Sequence, residues 1–511
     1  MVKRPFVSLS MIVKNEEADL ARCLGSVRGL VDEIVIVDTG STDRTVEIAE
    51  QFGAKVHTFA WCDDFSAARN FALDKVTGEW VLHLDGDEVV NPTTDLAAVR
   101  AELAAQPEQV CFLRVPVRNP QPQGLGFDVY GARRLFRNRP DLRWRRPIHE
   151  AIHCVTGDRP EMDVSCASMV VDHDGYVDQK ARRVRGKQTR NMRILKAWMA
   201  GTDEAVDHYY LAQEHAVIGQ HATALRLVKQ AIKRYQGRVR PDFEGALCCA
   251  GMRYALHLGR YKEAVRLGQH AVKTYAYSEV CYLLGCAYWH LEDWPQAERY
   301  LELAMAVRTR VAEYQMEAGA ASWKPLMQLG WIACRRQQFD LALDRMRRAH
   351  EMAPDQALTN LNYGCVLMGQ QRVDEALPYL WRAVDLAPTL PIVHLRVTQA
   401  LTNRGDVQAA YDHLSKVVAE QPDVADYAQW LGEMLFECGE YEACVQVLGE
   451  AITTHRDRAA IYQCLGTALR RLGRYEDANN ALALAASIDP ESPGIRVALA
   501  LAHEMMVMAA A

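Results

Sequence analysis

The sequence predicts an α/β domain with a largely parallel sheet, followed by an all-α domain made of repeated helix pairs. The first part of this prediction rests on short apolar runs that alternate with amphipathic segments through the first hundred residues. The second part rests on small residues that recur every 34 positions later in the chain. At 511 residues the chain also exceeds what one hydrophobic core usually serves, so two or more domains are expected.

Each element of the first domain can be assigned from its pattern. Strands are predicted at FVSLSMIV, DEIVIVD, KVHTFAW and EWVLHLD, with helices between them at EEADLARCLGSV, STDRTVEIAEQFG and SAARNFALDKV. Strands separated by helices of this length form right-handed crossovers and lie parallel. Ligands bind beyond the carboxyl ends of such strands. The segments KNEE, DTGSTD and DGDE, which follow the first, second and fourth strands, are therefore predicted to converge.

The segment from residue 111 to 206 lacks this alternation. It begins with the Pro-, Gly- and Arg-rich stretch RNPQPQGLGFDVYGARRLFRNRP, which is typical of a mobile loop. It continues through RPIHEAIH and DHDGY to the helical pattern KARRVRGKQTRNMRILKAW. We interpret the segment as the second half of the first domain, with a final helix that leads into the repeats.

The same segment is basic, with 18 Lys and Arg against 9 Asp and Glu over residues 111–200, although the whole chain has a net charge of -6. Its arginines could close as a lid over a phosphate-bearing ligand, bind an acidic partner, or balance the acidic first hundred residues. The sequence contains no helix-turn-helix, zinc finger or aromatic stacking platform that would support a nucleic-acid partner. The arginines concerned are Arg133, Arg134, Arg137, Arg139, Arg143, Arg145 and Arg146.

Cysteine usage and hydropathy predict a cytoplasmic protein. The fourteen cysteines include no C-x-x-C pair, which favours reduced thiols packed as small apolar groups. The apolar run before Lys14 is too short for a signal peptide, and no stretch approaches the length of a membrane-spanning helix. The chain could also form a homo-oligomer, which the sequence leaves open.

The later part of the chain resembles the tetratricopeptide repeat, because three independent series of positions repeat at 34 residues. The predicted domains are 1–200 for the α/β domain, 201–491 for about eight repeats, and 492–511 for a capping helix. The three series are Ala342, Ala376, Ala410, Cys444 and Ala478; Ala349, Ala383, Val417, Ala451 and Ala485; and Pro354, Pro388, Pro422, Arg456 and Pro490.

The segment VLHLDGDEVV carries the most distinctive chemistry. Asp85 and Asp87 flank Gly86 directly after a buried strand. Two carboxylates in this position suit a hard divalent cation, Mg²⁺ or Mn²⁺, whose remaining ligands are substrate phosphates. The alternative is a strand that ends in a solvated acidic turn.

Four motifs in order distinguish these alternatives: SLSMIVKNEE, DEIVIVDTGSTDRT, WCDDFSAARN and GEWVLHLDGDE. Together they resemble the family 2 glycosyltransferases of GT-A fold, over about residues 6–195. The combination of KNEE, VDTGSTD, FSxARN and IHE with tetratricopeptide repeats resembles the sublancin-type S-glycosyltransferase branch. This resemblance implies a GT-A-type, Rossmann-like catalytic domain ahead of the repeat solenoid.

The resemblance also implies a set of donor-binding residues. Asp38 would accept hydrogen bonds from the nucleotide base, and Glu16 would line the same pocket beside Lys14. Arg69 would face the nucleoside or diphosphate, although a surface ion pair is an equal alternative for an arginine in this position. Asp85 would lie at the ribose.

The metal ligands and the catalytic base follow from the same resemblance. Asp85 and Asp87 would hold the metal ion, with His173 as a further ligand. His149 and Glu150 in the IHE motif are the candidates for the base that takes the acceptor proton. His173 is a third candidate for that role.

The leading functional hypothesis is thus a metal-dependent inverting glycosyltransferase. It would use a nucleotide-diphosphate sugar, UDP-linked, and an acceptor polypeptide held by the repeats. One alternative is a glycosyltransferase that acts on a glycan, a lipid-linked sugar or a modified DNA base. Another is a catalytically inactive repeat scaffold.

Overall fold

A computed structural model describes residues 4–120, 127–156, 162–173, 180–235, 241–274, 277–307 and 319–510. The chain divides into two compact units, Met1–Met352 and Ala353–Ala511, which are described separately. The first unit contains the α/β domain together with the first helix pairs.

The α/β domain is built on one mixed sheet of nine described strands and a separate two-stranded hairpin. The strands are β1 Val7–Val13, β2 Glu33–Asp38, β3 Lys55–Thr58, β4 Trp80–His83, β5 Glu88–Val90, β6 Val110–Pro120, β7 Phe127–Arg137, β8 Leu142–Arg145, β9 Ala151–Cys154, β10 Met162–Ser165 and β11 Val171–His173. The helices are α1 Leu20–Ser26, α2 Thr45–Gln51, α3 Phe65–Leu73 and α4 Leu96–Ala104.

The first four strands confirm the predicted parallel arrangement. They pair in the order β3-β2-β1-β4, and each neighbouring pair is parallel. The core on one face contains residues of α1, α2 and α4, including Leu24, Ala49 and Val99. The core on the other face contains Leu73 of α3 and Trp144 of the β8-β9 hairpin. The sheet is thus covered on both sides, as its near-continuous apolar strands require.

The interpretation of residues 118–140 as a loop is wrong over most of its length. β6 and β7 form a long antiparallel hairpin, and β7 also pairs antiparallel with β4. Residues 121–126 of the predicted loop lie outside the described part of the chain. Gly131 of that stretch faces Pro116 across the hairpin, so a glycine that suggested a loop is tolerated inside the strand pair.

The structure describes ion pairs for most arginines of the basic segment. Six of the seven pair with carboxylates of the first unit, three of them with acids of the first hundred residues, which fits the balancing interpretation. The lid and the acidic partner stay predictions. The pairs are Arg133 with Asp163, Arg134 with Glu88, Arg137 with Glu79, Arg139 with Asp141, Arg143 with Asp74, and Arg146 with Asp207.

Helices account for the rest of the first unit. They are α5 Lys180–Met199, α6 Ala205–Val217, α7 His221–Tyr235, α8 Pro241–His257, α9 Tyr261–Thr274, α10 Ser278–His290, α11 Trp294–Ala306, α12 Trp323–Arg335 and α13 Phe339–Met352. Their core includes Ile148 from the loop between β8 and β9, with Trp61 and Phe65 packed against it. The first repeat helices are therefore part of the same packed structure as the α/β domain.

The second unit continues the helix pairs. Its helices are α14 Ala357–Gly369, α15 Val373–Leu386, α16 Pro391–Arg404, α17 Val407–Glu420, α18 Ala425–Glu437, α19 Tyr441–Thr454, α20 Ala459–Arg471, α21 Tyr475–Ile488 and α22 Pro493–Ala510. Among the described residues of either unit, no helix combines the length and apolar character needed to cross a membrane.

Candidate active site

The loops that follow β1 and β2 are joined by hydrogen bonds. The backbone N–H of Asn15 donates to Ser41 Oγ at 2.9 Å, and the N–H of Thr42 donates to Asn15 Oδ1 at 2.8 Å. The N–H of Glu16 donates to Thr45 Oγ1 at 2.7 Å. These bonds confirm that KNEE and DTGSTD meet at one edge of the sheet.

The loop after β4 reaches the same edge. A Cβ atom at Gly86 would lie 2.9 Å from Glu16 Cγ, so any larger residue would have to displace the Glu16 side chain. Asp38 is buried at the end of β2 and accepts from the N–H groups of Gly40 and Ser41 at 3.1 and 3.0 Å. Lys14 is exposed and forms no ion pair with the part of the chain that the structure describes.

Arg69 joins the loop after β4 to the IHE motif. Its Nη2 donates to Asp85 Oδ1 at 2.8 Å, and its Nε donates to Glu150 Oε1 at 2.5 Å. Its Nη1 lies 3.2 Å from His83 Nδ1. Burial and the nearby arginines hold the pKa of His83 well below its ordinary value, so this ring is neutral and Nδ1 accepts.

A buried ion pair beside Asp85 was missed from the sequence. Glu88 is fully buried, accepts from the Asp85 N–H at 3.0 Å through Oε2, and forms an ion pair with Arg134. Partial burial raises the pKa of Asp85, but Arg69 and Arg134 outweigh this effect and hold the pKa well below its ordinary value. The sequence did contain a signal for this ion pair. Glu88 is an acidic residue at a buried strand position, and a buried acid needs a cationic partner.

Asp87 and His173 form the part of the site that fits a divalent metal ion. His173 Nε2 lies 3.2 Å from Asp87 Oδ2, and Nδ1 lies 2.8 Å from Asn119 Oδ1. An outer hydrogen bond of this kind orients the metal-ligating histidines of proteins. Asp85 lies nearby in the sequence, but one of its oxygens is already paired with Arg69.

The Asp87 carboxylate suits a metal ion that is completed by substrate phosphate and water, which is the usual environment of Mg²⁺, whereas the His173 imidazole is a ligand that softer divalent ions prefer. Within the described ranges, no group of three or more His, Cys, Asp and Glu side chains is arranged to hold a metal ion by itself.

The two residues of the predicted base motif point to different partners. Glu150 is nearly buried against Arg69. His149 has a positive φ of 50°, and its ring stacks on Tyr210 of α6 with the centroids 4.1 Å apart. The preceding backbone is held by a hydrogen bond from the Phe65 N–H to Pro147 O at 2.9 Å. The motif is thus fixed between α3 and α6.

Comparison with known families agrees with this architecture. Residues 8–161 match the model of glycosyl transferase family 2, and residues 281–314 and 327–391 match models of the tetratricopeptide repeat. Residues 8–161 are thus similar to a family 2 glycosyltransferase domain, and parts of the helical region that follows are similar to tetratricopeptide repeats.

Three relatives carry related sequences. A TPR repeat-containing protein of Synechococcus elongatus is 38% identical over 245 residues, which are 46% of this chain and 58% of that protein. An uncharacterized glycosyltransferase of Rickettsia felis is 44% identical over 82 residues, 16% of this chain and 29% of that protein. The SPbeta prophage-derived glycosyltransferase SunS of Bacillus subtilis is 24% identical over 237 residues, 45% of this chain and 54% of SunS. The matches thus span less than two thirds of each relative.

Proposed function

We propose that this protein is a metal-dependent, inverting glycosyltransferase that moves a sugar from a UDP-linked donor to a side chain of a polypeptide. The observation that carries this proposal is the convergence of three polar loops around Asp85 and Asp87 at one edge of the sheet. The family match over residues 8–161 and the glycosyltransferase names of two relatives support the reaction class.

The donor would lie over the edge where these loops meet. Asp38 has two hydrogen bonds from its own turn, and a carboxylate has further lone pairs that can accept from a nucleotide base. Lys14 offers an exposed cation for the diphosphate, while Glu16 lies against Gly86 at the junction of the loops. Arg69 would act by holding Asp85 and Glu150 in place, because its three nitrogen atoms already have partners in the protein.

Asp87 and His173 are the residues that we propose for the metal ion, Mn²⁺ or Mg²⁺, with Asp85 at its side. When bound there, the ion would neutralise charge on the diphosphate. Arg134 would help keep Asp85 ionised, and Glu88 would help orient it by accepting from the Asp85 N–H.

The proposed reaction is a single displacement at the anomeric carbon. A bond forms from the acceptor atom to that carbon, the bond from the carbon to the diphosphate oxygen breaks, and the electron pair leaves on the nucleoside diphosphate. The acceptor proton passes to a base in the IHE motif. His149 suits this role better than Glu150, because the Glu150 carboxylate is hydrogen-bonded to the Arg69 guanidinium.

The repeats support a polypeptide acceptor. Helix-pair solenoids form extended surfaces that bind extended or helical segments of other chains. Six arginines of the basic segment are already paired with carboxylates, which reduces the positive charge that a nucleic-acid acceptor would need.

The test is metal-dependent turnover of a panel of sugar nucleotides, followed by mass spectrometry of polypeptides incubated with the enzyme and the active donor. Asp87→Ala should abolish turnover, because it removes a proposed metal ligand. Asp172→Asn is the matched control: Asp172 precedes His173 on the same strand but is bound by Arg118 and Asn91. It should leave turnover close to that of the wild type.

Two results would contradict the proposal in different ways. Unchanged turnover in Asp87→Ala would remove the metal assignment but keep the transferase. Failure of the wild type to bind any sugar nucleotide in calorimetry with Mn²⁺ would instead indicate the inactive scaffold.

A further inference from the structure

The backbone of His149 adopts a conformation that is strained for a residue other than glycine. Its positive φ of 50° is uncommon for a residue other than glycine, and such strain persists where the surroundings fix it. The surroundings here are α6, since the ring lies flat on Tyr210 with an interplanar angle of 5°. Ile148, the preceding residue, is buried in the core of the first repeat helices.

A carboxylate of the same repeat helix lies at the imidazole. Glu214 Oε1 is 3.5 Å from His149 Nε2, which is within ion-pair distance but longer than a formed hydrogen bond. This Nε2 is buried and has no hydrogen-bond partner in the described part of the chain. Glu214 is itself 8% exposed and is held by a hydrogen bond from Asn191 Nδ2 at 3.0 Å.

The His149 side chain remains partly accessible to solvent. A quarter of the His149 side chain stays exposed, and Nδ1 is not among the buried nitrogens that lack a partner. A ring that directs Nε2–H to a carboxylate has its free lone pair on Nδ1. The arrangement resembles that of catalytic triads, in which a carboxylate orients the histidine that acts as the base.

Three other charged groups lie around this pair. Glu150 follows His149 in the chain and is bound to Arg69. Arg190 of α5 is half-buried and interacts electrostatically with both Glu214 and Glu150. Asp207 of α6 binds Arg146, three residues before His149. Of the acids in this group, Glu214 is the one placed at the imidazole.

We infer that Glu214, on the first repeat helix, is the positioning residue for His149, and that His149 acts through Nδ1 as the base toward the acceptor. The inference rests on the proposed transferase function. As the acceptor atom bonds to the anomeric carbon and the diphosphate departs with its electron pair, the acceptor proton moves to Nδ1. Glu214 holds Nε2–H and stabilises the imidazolium that results. The active site is then incomplete without a helix of the repeat domain.

The test compares Glu214→Gln with the wild type in the full-length protein. Gln keeps an oxygen that can accept from Asn191 but removes the charge. The readout that needs no activity is the rate at which diethyl pyrocarbonate modifies His149 at neutral pH, followed by peptide mass spectrometry. The rate should change severalfold in Glu214→Gln, because the carboxylate that faces Nε2 is lost.

The second readout is the rate of sugar transfer at neutral pH. It should fall by about tenfold or more through kcat rather than KM, as expected when a base loses its orientation. Hydrolysis of the donor by water should fall less. Glu214→Asp, which keeps the charge but withdraws it by one methylene, should restore part of the lost transfer.

Asp207→Asn is the matched control, since it loosens the same loop from the same helix through Arg146. It should lower thermal stability and change the modification of His149 less than Glu214→Gln does. An unchanged modification rate in folded Glu214→Gln would overturn the pairing of Glu214 with His149, whether or not the protein is active. A changed modification rate with unchanged sugar transfer would overturn His149 as the base. A changed modification rate in Glu214→Gln, with a wild type that transfers no sugar, would leave the pair standing and refute the proposed function.

Discussion

The guanidinium of Arg69 is shared by partners that come from distant parts of the chain. Asp85 and His83 lie 16 and 14 residues away, and Glu150 lies 81 residues away. The side chain is 8% exposed and also lies over the Trp144 ring. A cation in this position stabilises the fold and orients the site through the same contacts.

Arg69→Met is therefore expected to destabilise the first unit. It leaves Glu150 buried without its cation, and breaking a buried pair in this way costs about 3–5 kcal/mol. The partly exposed Asp85 should place the result at the lower end of this range. Urea unfolding followed by tryptophan fluorescence measures the change. Arg44→Met removes a surface pair with Glu47 and should have no measurable effect; equal effects of the two variants would contradict the assignment.

Glu33 provides a prediction about pH. Its buried carboxylate accepts from Lys55 Nζ at 2.7 Å, from the Thr77 N–H at 2.8 Å and from Ser8 Oγ at 2.5 Å. Burial raises the pKa of Glu33, but these donors outweigh burial and lower the pKa from 4.5 to about 2. Since the folded state holds the carboxylate at a depressed pKa, its stabilisation is complete above pH 4.5. The stabilisation is lost as the pH falls from 4.5 to about 2.

Glu33→Gln should lower the free energy of unfolding at pH 7 by about 1–3 kcal/mol, the range for hydrogen bonds to a charged group. Below pH 4.5 the stabilities of variant and wild type should approach each other. Unfolding by urea at a series of pH values measures both. If the free energies of unfolding of variant and wild type differ by the same amount down to about pH 2, the Glu33 carboxylate is not the source of the pH dependence.

At the residue scale, motifs predict which residues reach the site but not what each one contacts. Asp85, Asp87 and Arg69 could be located because their motifs follow strands of a predictable sheet. The role of Glu88 could not be predicted, because Arg134, its partner, lies 46 residues away on a strand that the sequence suggested to be a loop. Long-range pairing of this kind depends on strand register, which local patterns do not determine.

At the element scale, the repeat period has a direct explanation in helix packing. In six of the described helix pairs, a glycine of the first helix faces a large apolar residue of the second helix, sixteen positions later. A Cβ atom at these glycines would lie 2.5–3.0 Å from that side chain. The pairs are Gly251 with Leu267, Gly285 with Leu301, Gly330 with Met346, Gly364 with Leu380, Gly432 with Leu448, and Gly466 with Leu482.

Gly432→Ala should consequently destabilise the second unit, although alanine is the better helix former. The new Cβ would lie 2.5 Å from Leu448 Cδ2 and 2.7 Å from Cγ, and overpacking of this kind costs about 1–3 kcal/mol. Gly449→Ala is the matched control on α19, where a Cβ meets nothing within 4 Å, and it should stabilise by up to about 1 kcal/mol. Thermal unfolding of both variants gives the signs, and a stabilising Gly432→Ala would refute the packing argument.

The elements themselves were predictable where one period dominated. The strands and helices follow clear periods of 2 and 3.6 residues, and the helix pairs repeat every 34 residues. The β6-β7 hairpin was missed because Pro116, Gly131 and several arginines interrupt its apolar alternation. Its stability depends on pairing with β4 and on ion pairs such as Arg133 with Asp163, which only the folded chain supplies.

At the scale of the whole molecule, the change from strands to helices and the boundary between the two compact units fall at different places in the chain. The helical pattern begins near residue 180, whereas the compact units divide after Met352. The reason lies in α6, whose Asp207 binds Arg146 and whose Tyr210 stacks on His149. These side chains hold the loop that carries the IHE motif, so the first repeats belong with the catalytic domain.

Two truncations test this division. A chain that ends at Met352 keeps α5 and α6, so it should fold and hydrolyse the sugar-nucleotide donor at a rate close to that of the full chain. A chain that ends at residue 200 loses the partners of Arg146 and His149. A loosened loop should then lower donor turnover by about a hundredfold, the effect of a misplaced catalytic group. Circular dichroism checks folding, and release of nucleoside diphosphate measures turnover. Equal turnover by the two truncated chains would mean that the first repeat helices do not support the site.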